Sequence, residues 1–248
     1  MSDLRSDEPL AVAAVQAIRS GDVAALRRLL DENPGLATVR IGGPATCRES
    51  GGVAPRTLLH VATDWPGHFP NGAATVAELI AHGAEVNACF RGAHTETPLH
   101  WAASSDDLAV LDALIDHGAD IEARGSVIGG GTPLADAVAF GQWQAARRLV
   151  ERGARPTLWQ AAALGLMARV EEHFAASVAP NPDEVTNAFW CACHGGQRRS
   201  AEYLLGRGAD INWVGYDALT PIDAANRSGA EELVEWLRTQ GAKSAKDS

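Results

Sequence analysis

Nowhere in the chain do some 18 apolar residues run together, so no stretch reads as a membrane span. Basic runs are missing too. The 21 Lys and Arg stand against 31 Asp and Glu, a formal charge of −10, which argues against nucleic acid or an anionic membrane surface as a partner. Residues 1–8 lack the basic start and apolar core of a signal peptide and read as a polar, disordered end. Cysteine is scarce: Cys47, Cys89, Cys191 and Cys193 are too few in 248 residues for a disulfide framework. A reduced, cytoplasmic setting is the expectation. Aromatic residues make up only 6%, and Ala and Leu dominate, as short packed helices need.

What the chain has instead is recurrence. Thr97-Pro98-Leu99-His100 reads as a cap and first turn of a helix, with proline where a missing N–H costs nothing. It returns as Thr57-Leu58-Leu59-His60, Thr132-Pro133-Leu134-Ala135 and Thr220-Pro221-Ile222-Asp223. A closing signal, Gly118-Ala119-Asp120, has counterparts starting at Gly83, Gly153, Gly208 and Gly241, where glycine can take the left-handed cap conformation. The steps between these glycines are 35, 35, 55 and 33 residues. Two motifs holding phase at a period near ~33 resemble the ankyrin repeat.

That resemblance spans nearly the whole chain and implies an all-α repeat solenoid. Helix–turn–helix units would stack side by side with β-hairpin fingers along one edge, forming a single domain over residues 9–246. The units fall at about 9–41, 56–90, 91–125, 126–155, 156–183, 184–214 and 215–246, with residues 38–55 a long loop rich in glycine and proline. The second unit carries an insertion, Asp64-Trp65-Pro66-Gly67-His68-Phe69-Pro70-Asn71-Gly72, between its two helices. The unit at 156–183 lacks the closing signal and reads as truncated, without a finger. In the next unit Trp190 stands where the resemblance places histidine.

Few residues suggest chemistry. His60 and His100 sit at the motif position that the resemblance assigns to bonds between neighbouring loops. Cys191-Ala192-Cys193-His194 looks like a ligand set, but on a helix Cys193 points away from the face shared by Cys191 and His194. No fourth ligand is placed to complete a zinc site. For the same reason His194 cannot easily deprotonate Cys193 as a nucleophile. Gly129-Gly130-Gly131 lacks the Gly-Lys-Ser/Thr ending of a phosphate loop. Asp136 is the odd acid: it takes a usually apolar place, so it either bonds a neighbouring loop or faces a ligand. No catalytic residue, metal or cofactor is assigned.

The resemblance sends two residues of each first helix into a concave groove: Asp64 and Trp65, Ser104 and Ser105, Phe140, Leu164 and His194 among them. The insertion adds His68, and the fingers add Phe90, Arg91, His94, Glu96, Arg124 and Tyr216. An apolar centre with an arginine-bearing rim has the composition of a binding surface. The expected function is non-catalytic binding of an unidentified protein or peptide through this face. The second reading is a small-molecule site or enzyme in the groove near the 64–72 insertion.

Overall fold

The computed structural model describes residues 3–42 and 54–246; most of the 38–55 loop reading falls on 43–53 and lies outside the described residues. Sequence gives one domain over 9–246, whereas the packing gathers the chain into two compact units, Met1–Ala154 and Arg155–Ser248. The boundary falls at the start of the truncated repeat.

Among the described residues the first body holds four helix pairs: α1 (Pro9–Ser20) with α2 (Val23–Glu32), α3 (Leu58–Ala62) with α4 (Gly72–Ala81), α5 (Pro98–Ser104) with α6 (Leu108–Asp116), and α7 (Pro133–Ala139) with α8 (Trp143–Glu151). First helices pack on first helices in one row and second helices on second helices in another. Between the rows lie fully buried leucines, Leu59, Leu99 and Leu134 from the first and Leu79, Leu111 and Leu149 from the second. Each contributes roughly 1.5–3 kcal/mol by leaving water.

The closing signal has a direct physical use. Gly83, Gly118 and Gly153 take positive φ, which lets the next alanine N–H reach back over the helix end. Ala84 bonds the Leu79 carbonyl at 3.0 Å, Ala119 bonds Leu114 at 2.9 Å, and Ala154 bonds Leu149 at 2.9 Å. Where the aspartate follows, its side chain caps the turn beyond: Asp120 Oδ1 accepts from the Glu122 N–H at 2.9 Å. The fingers close as tight hairpin turns on backbone bonds, Phe90 N–H to the Glu96 carbonyl and Gly125 N–H to that of Gly131.

Residues 3–8 correct the expectation of a disordered end. Leu4 is buried, its N–H donates to the Arg40 carbonyl at 2.9 Å, and its carbonyl accepts from Gly42. Its side chain is the one large apolar group in that polar run, so it has somewhere to go. Beside it β1 (Arg40–Ile41) pairs antiparallel with β2 (Arg56–Thr57).

The second body holds α9 (Leu158–Leu164) with α10 (Met167–Ala175), α11 (Pro182–His194) with α12 (Arg198–Leu205), and α13 (Pro221–Arg227) with α14 (Glu231–Thr239). In place of the missing closing signal, α11 starts on a reciprocal cap. Asn181 Oδ1 accepts from the Glu184 N–H at 3.0 Å, and Glu184 Oε2 accepts from the Asn181 N–H at 2.9 Å. Helices α9 and α11 meet so closely that a Cβ on Gly195 would lie 1.9 Å from the Ala163 carbonyl oxygen. Backbone cannot step aside as a side chain can. Gly195→Ala is therefore expected to destabilise this body by about 1–3 kcal/mol, visible as a lowered urea midpoint. An unchanged midpoint would mean the two helices are free to separate.

Candidate functional site

The repeated Thr-x-x-His motif is a hydrogen-bond relay. In α3, Thr57 Oγ1 lies 2.8 Å from His60 Nδ1, and His60 Nε2 reaches the Glu96 carbonyl at 3.1 Å. In α5 the Thr97 N–H donates to His100 Nδ1 at 3.1 Å, while His100 Nε2 faces the Gly131 carbonyl at 3.4 Å. A carbonyl can only accept, so Nε2 carries the proton in both rings and Nδ1 is the acceptor. Burial favours that neutral form, lowering the pKa of both and that of His60 to about 4. Within the second body Trp190 does the same with its indole, Nε1–H to the Leu219 carbonyl at 2.8 Å. Glu96, Gly131 and Leu219 each immediately precede a threonine that opens the next helix pair. The two histidines are thus structural.

Around the first finger lies a buried acidic hub. Glu96 accepts from Trp101 Nε1–H at 2.8 Å and from the Val127 N–H at 2.9 Å, and His94 Nδ1 stands 3.0 Å from the same carboxylate. Asp136, 1% exposed, accepts from the Ser126 hydroxyl on the neighbouring finger. Its other oxygen is sealed from water with no donor. Burial, followed by the nearby Glu96 charge, outweighs the Ser126 bond and pushes the Asp136 carboxyl up to about 8. A proton on Asp136 turns the orphaned oxygen into a donor toward Glu96. Phe90 roofs this hub, with its ring 4.7 Å from His94, 5.3 Å from Trp101 and 6.0 Å from His60.

The 64–72 insertion acts as a strap across three successive turns. His68 sits at φ 56°; its backbone N–H donates to Asp107 Oδ2 at 2.8 Å and its Nε2 to the Ser105 carbonyl at 2.9 Å. Asn71 Nδ2 donates to the Gly21 carbonyl at 2.9 Å. Asp64 is held by Arg56 Nη1 at 2.5 Å, with Arg19 Nη2 3.7 Å away. The strap leaves Trp65 in the open, 81% exposed.

In the second body an aromatic group surrounds the last finger. Trp190 stacks on His194 with centroids 5.6 Å apart and takes Tyr216 edge-on at 5.1 Å. Tyr216 donates its hydroxyl to Asn187 Oδ1 at 3.0 Å. Where the truncated unit lacks its finger, a cleft of about 450 Å³ opens among Trp159, His173, Val178, Pro180 and Asn187.

No curated protein gives a significant sequence match. Among solved structures 469 chains match, including the crystal structure of the human ASB11 ankyrin repeat domain, with TM-score 0.51 at 19% identity. That match covers 93% of this chain and 97% of the other. Residues 59–160 match the family model "Ankyrin repeats (3 copies)". Residues 59–160 thus carry ankyrin repeats, and the fold of the chain is that of an ankyrin array. Ankyrin repeats are generally protein–protein interaction modules.

The ankyrin scaffold sorts the sequence-derived site residues into three groups. Trp65, Phe140 and Tyr216 are largely exposed, at 81%, 51% and 54%, and Arg91 and Arg124 are exposed as well. Phe90 and His94 are half-buried in the hub, and Ser104 turns its hydroxyl back to the Trp101 carbonyl. Leu164 and Ser105 are corrections: both are buried, Leu164 at 3%, because their helix ends are covered by their neighbours. His68 and Asp64 are bonded within the strap as above. Glu96, read as a groove residue, is the buried hub. Arg40 and Arg56 were not singled out from sequence, though their places flanking the long loop and preceding the Leu-Leu-His turn were visible.

For chemistry the arrangement offers little. Cys191 and Cys193 are buried, and burial pushes both thiols up, the reverse of what a nucleophile needs. Among the described residues no three His, Cys, Asp or Glu side chains are grouped to hold a metal ion, and no helix is long and apolar enough to cross a membrane.

Proposed function

We propose that this ankyrin array is a non-catalytic, cytoplasmic scaffold that binds a protein or peptide, with the first-helix ends and fingers of its first body as the contact surface. The observation that carries this reading is the exposure of Trp65 and Phe140. Both lie at the C-terminal ends of first helices in one row, α3 and α7. A large indole held out by a strap whose Asp64, His68 and Asn71 side chains are tied down costs apolar surface in water and gains nothing for folding. The rigid stacking beneath keeps the entropic cost of binding low.

The test is affinity capture from lysate of the source cell, with wild type beside Trp65→Ala/Phe140→Ala. Folding stability is expected to stay within about 0.5 kcal/mol, because both side chains are exposed. A specific protein is expected on the wild type and absent from the variant. Equal capture by both would remove this face as the binding surface. The alternative of a small-molecule site near the insertion draws no support from the geometry, since Asp64, His68 and Asp136 each bond a neighbouring side chain or backbone group.

A further inference from the structure

The second finger, residues 124–131, is held to the first body at two levels. Its ends are fixed through backbone: the Thr95 N–H donates to the Gly125 carbonyl at 3.2 Å, and His100 Nε2 faces the Gly131 carbonyl at 3.4 Å. Its tip is fixed by two acids from other segments. Ser126 donates its hydroxyl to Asp136 on α7, and the Val127 N–H donates to Glu96 at 2.9 Å. Ser126 Oγ also accepts from the Ile128 N–H at 2.8 Å, so three successive residues hang on one pair of carboxyl groups.

Adjacent residues of one turn thus draw two acids together in a site closed to water. Asp136 and Glu96 are both buried, Asp136 Oδ2 has no donor, and the two carboxyl groups lie within reach of a shared proton. With that proton the pair carries one charge and a hydrogen bond. Without it two like charges face each other away from solvent, where repulsion is strongest. The groups packed around them bring no relief. His94 Nδ1 on the first finger stands 3.0 Å from Glu96, and His100 on α5 is kept neutral by burial, its ring proton toward Gly131. Helix α8 buries Ala145, Ala146 and Leu149, while its Arg148 turns to Asp112 and Glu151.

The finger has room to yield. Gly129 and Gly130 sit at φ 61° and 68°, and nothing lies within 4 Å of where a Cβ on either would stand.

We propose that Asp136 and Glu96 form a pH-sensitive latch on the second finger: sharing one proton they hold Ser126 and Val127 down, and loss of that proton frees the tip. Release separates the charges and lets water reach them, with the helix pairs beneath left packed. Arg124 and Val127, exposed on this finger, then leave the contact surface. That consequence for binding rests on the reading of the chain as a binding module, whereas release of the finger does not.

The test is a nitroxide spin label on the full chain at Val127→Cys, a half-exposed position, with Cys47→Ser and Cys89→Ser removing competing thiols. Cys191 and Cys193 are buried. The label is expected to be largely immobile at pH 6.5, with its mobile fraction rising about fivefold or more by pH 9. The midpoint is expected near the Asp136 value of about 8. With Asp136→Asn added the label should stay immobile across the range. Asp136→Ala, which removes the Ser126 acceptor as well as the charge, should leave it looser but level with pH. A labelled chain indifferent to pH, or the same step in both Asp136 variants, would overturn the latch. So would a step accompanied by loss of helix in the far-ultraviolet circular dichroism of the same samples, because the body would then be unfolding as a whole.

Discussion

Asp136→Asn is expected to make the protein more stable at pH 8 by a few kcal/mol and to leave it nearly unchanged near pH 4. In the folded chain Asp136 keeps its proton up to about pH 8, whereas the unfolded chain releases it near 3.8. Between those values folding takes up a proton, so stability falls as pH rises, by roughly 1.4 kcal/mol per pH unit for a single fully buried group. Above about pH 8 the loss levels off. Asparagine is neutral throughout: its oxygen accepts from the Ser126 hydroxyl and its amide donates toward Glu96, as the protonated acid does. Urea unfolding of both proteins at pH 4, 6 and 8 gives two curves whose separation reports this group alone. His60 works the other way at lower pH, since its lowered pKa makes stability drop as pH falls below its usual value, but that contribution is common to both curves. Curves that stay parallel from pH 4 to 8 would show that Asp136 is not a proton store.

Glu96→Ala is the second large effect, a loss of about 2–4 kcal/mol at pH 7. The carboxylate is the acceptor for two part-buried donors, Trp101 Nε1–H and the Val127 N–H. A buried donor left without an acceptor costs roughly 1–3 kcal/mol. Part of the loss is offset because Asp136 no longer sits beside a negative charge. Glu96→Gln keeps one oxygen and the shape, so it should cost less. The pH dependence expected of Asp136 should shrink in the same variant. A Glu96→Ala protein as stable as wild type would mean that water reaches those donors.

Much of this fold was open to reading because the repeat signals are local. Thr-Pro-Leu and Gly-Ala-Asp act over a turn or two of backbone, so spacing alone places the helix pairs, and Trp190 could be set at the histidine position from phase. What phase could not supply is the partner of each side chain. His68 finds Asp107 and Ser105 nearly forty residues away, through a left-handed backbone that no residue type announces. Glu96 reads as an ordinary finger acid until Trp101 and Val127 are seen to close on it. Leu164 and Ser105 failed as contact residues because exposure at a helix end depends on how much of it the adjoining unit covers. Leu4 was lost in a polar run for the opposite reason: one apolar residue carries no period, yet it was enough to pin the N-terminus to Arg40 and Gly42.

The ring-to-carbonyl bonds also give these bodies a direction. His60, His100 and Trp190 each reach forward, to the residue ahead of the next threonine, and none reaches back. Loss of a following unit therefore strands the ring's buried donor in the one before it, whereas loss of a preceding unit leaves, at this bond, only a carbonyl that water can serve. The last unit avoids the problem with chemistry of its own. Asp223 stands where the ring would be, has no proton to offer forward, and instead receives Thr220, Ser244 and the Ala245 N–H from its own tail. Shortening from the C-terminal side should thus unravel a body unit by unit, each removal orphaning the next, until a residue with nothing to give forward is reached.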